Sequence, residues 1–84
     1  MKIYEVEYTV AFDGSVMEHS SKLYISKESA KAQAKEMYDK YILDKRTWYD
    51  EHGYIVDRDN GYEFEAGSDY DWTTLVIRER EVNP

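Results

Sequence analysis

Polar and apolar positions alternate cleanly along the first segment. Tyr4, Val6, Tyr8, Val10 and Phe12 fall on one face, and Ile3, Glu5, Glu7, Thr9 and Ala11 on the other. A period of two is that of a strand with one buried face. Asp13-Gly14 follows at once, a dipeptide suited to a type I′ turn, whose two central residues take positive φ. Pairing Phe12 with Ser15 predicts Val10 opposite Met17, Tyr8 opposite His19, Val6 opposite Ser21 and Tyr4 opposite Leu23. Met17, Leu23 and Ile25 then join the apolar face, with His19 beside Tyr8, and Glu5 meets Lys22 in a favourable cross-strand pair.

The period changes after Ile25. Ser26 is a good N-cap, Glu28 places acid in the first turn, and Ile25 and Ala30 are spaced for a hydrophobic staple. From Lys27 to about Asp44 the residues Ala30, Ala34, Met37, Tyr38, Tyr41 and Ile42 form a stripe at helical spacing, flanked by a basic edge of Lys27, Lys31 and Lys35. Residues 45–53 fit either a continued helix or an ordered loop. Tyr54–Arg58 and Tyr62–Ala66 then flank Asp59-Asn60-Gly61, a second hairpin signal. Its register sets Asp59 opposite Tyr62, Arg58 opposite Glu63 and Ile55 opposite Ala66, with Ile55, Tyr62, Phe64 and Ala66 on one face. Trp72–Val82 reads as a final strand. Leu75-Val76-Ile77 is apolar on both faces, which argues for a central place in the sheet, while Arg78-Glu79-Arg80-Glu81 runs past the core. The expected fold is α+β: a mainly antiparallel sheet of four or five strands with one long helix across one face.

Composition narrows the chemistry. With 84 residues there is room for a single domain, and its core is modest. No cysteine is present, which removes disulfides, thiolate metal sites and thiol nucleophiles. The segment Met1-Lys2-Ile3-Tyr4-Glu5 is unlike a signal peptide, and no stretch approaches the ~20 apolar residues of a membrane span. The expectation is a soluble, cytoplasmic chain with no membrane partner.

Net charge is −7 and unevenly spread. Lys22 to Arg46 holds seven bases and four acids, whereas Thr47 to Ile77 holds eight acids and only Arg58. Such a chain would be repelled by phosphates, which disfavours direct nucleic-acid binding. His19 and His52 have no partner at catalytic or ligand spacing, and no Gly-x-Ser-x-Gly motif or glycine-rich phosphate loop occurs. Asp57-Arg58-Asp59-Asn60-Gly61 resembles a calcium loop only superficially: its glycine stands one place early, and Ser68 occupies the position of the bidentate glutamate. The reading is a protein without enzymatic activity, cofactor or metal.

The acidic stretch from Trp48 to Trp72 is the most distinctive feature. Asp57, Asp59, Glu63, Glu65, Asp69 and Asp71 could stand in for phosphates toward a basic partner, with Tyr54, Tyr62, Tyr70 and Trp48 as anchors, aided by Tyr49 and Trp72. The bland account is a solvated hairpin with tyrosines half in the core. Two other classes stay open. One is an oligomer that sequesters a small molecule or nucleotide around the basic helix edge; the other is a structural homodimer.

Met1-Lys2-Ile3-Tyr4-Glu5-Val6, Leu23-Tyr24-Ile25-Ser26-Lys27-Glu28-Ser29-Ala30 and Thr74-Leu75-Val76-Ile77-Arg78-Glu79-Arg80-Glu81-Val82 together resemble small proteins of phages and prophages built as hairpin, helix and strand. The resemblance implies a host-takeover or anti-defence factor, including anti-CRISPR proteins and DNA mimics. It carries over no functional residue, and the Tyr49–Asp71 insert departs from the simpler pattern. The combined expectation is a phage-type inhibitor or adaptor that engages the basic, nucleic-acid-binding surface of a host protein.

Overall fold

The opening alternation becomes β1 (Lys2–Phe12), turned by Asp13 and Gly14 at φ of 53° and 79° into β2 (Ser15–Tyr24). Both values are positive, as a type I′ turn demands. This is a computed structural model; it describes residues 1–58 and 63–82, with backbone alone at Asp57 and Arg58. Asp59 and Tyr62, and the pairing expected between them, lie outside the described residues. The remaining elements are α1 (Lys27–Met37), a π-helical turn (Tyr38–Ile42), α2 (Leu43–His52), β3 (Tyr54–Arg58), β4 (Glu63–Gly67) and β5 (Trp72–Glu81). All five strands form one antiparallel sheet in the order β2-β1-β5-β4-β3, so the doubly apolar Leu75-Val76-Ile77 segment lies in its central strand.

The helical layer covers one face. Val6 and Tyr8 of β1, Leu75 of β5, and Phe64 and Ala66 of β4 pack against Ala30, Ala34, Ile42 and Tyr49, with Tyr4, Val10, Ile55 and Ile77 at the margin. Phe12 departs from the expected five: it is 63% exposed, beyond the helix. In the second hairpin the structure reproduces Arg58 opposite Glu63 and Ile55 opposite Ala66.

The first hairpin slips. Phe12 does face Ser15 and Ala11 faces Val16, but a bulge at Met17 brings Val10 opposite Glu18, Tyr8 opposite Ser20, Val6 opposite Lys22 and Tyr4 opposite Tyr24. Glu5 therefore faces Leu23 rather than Lys22, and His19 moves to the uncovered face opposite Thr9. Register is tightly specified only where a face is buried. The helix leaves β2 almost entirely exposed, so neither face of that strand selects a register. Met17, Leu23 and Ile25 are exposed accordingly, and the expected Ile25 staple does not form.

Ser26 caps α1 as expected, its Oγ accepting from the Ser29 N–H at 3.1 Å. Residues 45–52 continue the helix, with the π turn in between. At roughly 100° per residue, an unbroken α-helix would set Tyr49 about 100° around the axis from Ala30. One extra residue taken up in a π turn returns it to the same face. Tyr49 then reaches the sheet, where its hydroxyl meets the Thr73 hydroxyl at 2.9 Å with both residues buried. Gly53 follows α2, and a Cβ there would stand 1.9 Å from the Gly67 carbonyl oxygen, so only glycine lets β3 begin so close to β4.

Candidate acidic contact surface

The topology sorts the acidic stretch into separate places. Glu63 and Glu65 are exposed, on the sheet face opposite the buried Phe64 and Ala66. The Tyr54 hydroxyl donates to Glu65 Oε1 at 3.1 Å; partial burial and that negative neighbour hold the phenol pKa above its ordinary value. Glu63 lies about 13 Å along β4 from Gly67, at about 3.3 Å per residue. Asp57 side-chain placement, like Asp59 and Tyr62, lies outside the described residues. Among the described residues, Glu63 thus stands at the far end of β4 from the loop that carries Asp69 and Asp71.

Asp69, Tyr70 and Asp71 gather at the other end. Gly67 pairs with Trp72 and Tyr54, and Trp72 pairs with Ala11. The start of β3, the β4–β5 loop, the start of β5 and the β1–β2 turn therefore share one end of the sheet, across the strands. The turn is tied to the loop: the Asp13 N–H donates to Asp71 Oδ1 at 2.8 Å and the Gly14 N–H to the Tyr70 carbonyl at 2.9 Å. The Ser68 N–H closes the loop on the Asp71 carbonyl at 2.8 Å. Because α2 leads directly into β3, its C-terminal turn, with Asp50 and Glu51, arrives at the same end. The helix dipole adds negative potential there.

Five carboxylates, Asp13, Asp50, Glu51, Asp69 and Asp71, thus lie at the same end of the sheet, where residues 11–17, 47–56 and 65–73 contain no lysine or arginine. Aromatic surface accompanies them. Tyr70 is 69% exposed, Phe12 63%, Tyr54 48% and Trp48 43%. Trp48 stacks on His52, with ring centroids 4.8 Å apart and an interplanar angle of 14°, and the His52 Nδ1 lies 3.0 Å from the Trp48 carbonyl. Of the expected residues, Asp69, Asp71, Tyr54, Tyr70 and Trp48 belong to this end. Asp13 and Phe12 lie outside the expected acidic stretch, and Asp50 and Glu51 lie within it but not among its expected contact residues. Asp13 and Phe12 read as parts of a turn, and Asp50 and Glu51 fall in the segment whose structure was open. The contiguity of Asp13 with Asp71 is visible only once β1 and β5 are known to be neighbours.

The uncovered sheet face carries a different arrangement, also missed. Glu5 accepts from Ser21 Oγ at 2.6 Å and from Arg80 Nη2 at 2.8 Å, while Glu7 is bonded by Arg78 and lies 3.3 Å from His19 Nε2. The Ser21 hydroxyl and Arg80 hold the Glu5 carboxyl below its ordinary pKa; Arg78 and His19 do the same for Glu7. Arg78 and Arg80 thus belong to the β1–β5 pairing rather than running past the core. Glu5 and Glu7 are thus paired with arginine, whereas among the described residues Asp13, Asp50, Glu51, Asp69 and Asp71 are in no ion pair. On the helix, Lys35 pairs with Asp39 at 3.2 Å.

No helix among the described residues is long and apolar enough to cross a membrane. No protein-family model matches the chain, and comparison with curated proteins and with solved structures returns no match.

Proposed function

We propose that this chain is a non-enzymatic protein-binding module that presents its acidic end to a basic surface of a partner protein. The observation that carries the reading is the placement of Asp13, Asp50, Glu51, Asp69 and Asp71, with exposed Phe12, Tyr70, Tyr54 and Trp48, along one end of the sheet whose segments contain no base. Uncompensated carboxylates steer and orient a basic partner, and aromatic rings supply the desolvated anchors that acids lack. The bonds from Asp13 and Gly14 to the β4–β5 loop hold part of the surface in place before binding. Preorganisation of this kind lowers the cost of association. Basic surfaces that bind nucleic acid are the best match, which makes an inhibitor or adaptor of a nucleic-acid-binding protein, in the manner of phage anti-defence factors, the specific form of the proposal.

Asp71 is left intact in the test because it anchors the first turn. The D50N/E51Q/D69N variant and the parent are immobilised and exposed to cell lysate at low and high salt, with and without competing DNA. Basic proteins retained by the parent should be released by salt, since exposed charges are screened over about 8–10 Å. DNA should displace them, and the variant should fail to retain them. Stability should be unchanged, because exposed charges contribute about 0–1 kcal/mol each. Equal retention by parent and variant at every salt concentration overturns the proposal.

A further inference from the structure

β2 is a full-length edge strand left uncovered on both faces up to Leu23. It is exposed from Ser15 to Leu23, and the apolar side chains Val16, Met17, Leu23 and Ile25 are 59%, 68%, 58% and 82% exposed at or beyond its ends. An unpaired edge of this length is a template for another strand. Such edges are commonly blunted by lysine or a bulge, and β2 has both, in Lys22 and at Met17. The sequence around Ser20, however, answers its own lysine.

We infer that β2 pairs antiparallel with β2 of a second copy of this chain, about a two-fold axis through Ser20. Glu18 and Lys22 stand two places either side of Ser20, so that axis sets Glu18 of each copy opposite Lys22 of the other. The same register brings His19 opposite Ser21 and the exposed Met17 opposite the exposed Leu23, once at each end of the pairing. Glu18 and Lys22 lie on one face of the sheet, opposite Val10 and Val6 of β1. A two-fold axis perpendicular to the sheet keeps that face common to both copies, so the opposed charges meet on the same side. Among the described residues neither Glu18 nor Lys22 is held in an ion pair within its own chain. A closed, isologous pair of this kind consumes both β2 edges and cannot propagate through them. The β3 edge is a strand of only five residues. The inference does not rest on the acidic-end reading.

Charge reversal tests it at positions that are exposed in the chain. The parent, E18K, K22E and E18K/K22E are compared by sedimentation equilibrium, with circular dichroism to check each fold. The parent should be a dimer. Each single reversal turns both symmetric cross-strand pairs repulsive and should raise the dimer dissociation constant about tenfold or more. The double variant should dimerise like the parent. An equimolar mixture of the two single variants should form a heterodimer, because one then carries two acids and the other two bases at these positions. A parent that stays monomeric at millimolar concentration overturns the inference, and so does a parent dimer that neither reversal weakens.

Discussion

The Tyr49–Thr73 hydrogen bond offers the sharpest test of how the helix is seated. Tyr49 is 5% exposed and Thr73 fully buried, and their hydroxyls are 2.9 Å apart. Tyr49→Phe keeps the ring and deletes one partner, leaving the Thr73 hydroxyl buried without it. Stranding such a group costs about 1–3 kcal/mol. Thr73→Val strands the Tyr49 hydroxyl instead, at a similar cost. The double variant removes both polar groups together and should lie close to the parent, because nothing is left unsatisfied. The two substitutions should therefore couple by about 1 kcal/mol or more. In a domain of this size 1 kcal/mol corresponds to about 4–8 °C in Tm, so the single variants are readily resolved by thermal melts. Urea titrations should show a lower midpoint at unchanged slope. Two single variants that melt with the parent, or whose losses simply add, would show that α2 is not seated on the sheet through this bond. The π turn would then lose its structural reason.

The remaining predictions concern the helix start and the uncovered face. Ser26→Ala should cost about 1 kcal/mol, the usual loss for an N-cap, and an unchanged melt would place the helix start elsewhere. The carboxyls of Glu5 and Glu7 are held below the ordinary value of 4.5, so their contribution is present above that value and lost as pH falls through the lower folded values. Urea midpoints should accordingly drop as pH is taken below 4.5, and Glu5→Gln/Glu7→Gln should flatten that drop. A variant with the same acid dependence as the parent would exclude the network as its source.

What could be read along the chain is what local physics decides. Period two marked β1 and the faces of β4, and the period of an amphipathic helix marked α1. Asp13-Gly14 set the first turn, because positive φ is a property of those two residues. Ser26 set the helix start through its own hydroxyl, and the doubly apolar run at Leu75-Val76-Ile77 marked the central strand. Each signal acts over a few residues and survives any tertiary setting that buries the same face.

The rest depended on partners distant in sequence. The register beyond Met17 escaped local reading because an uncovered strand has no buried face to enforce it. The helix past Asp44 depended on a π turn, whose extra residue is worthwhile only if Tyr49 finds Thr73 across the sheet. Pairing of β1 with β5 joined Glu5 and Glu7 to Arg78 and Arg80, and it carried Asp13 to Asp71. Charge along the chain showed that residues 47–77 are acidic, but a strand separates what is contiguous in sequence and one end of a sheet gathers what is not. Composition determined how much negative charge this protein carries, and the strand order determined where it is concentrated, because electrostatic potential sums over distance in space.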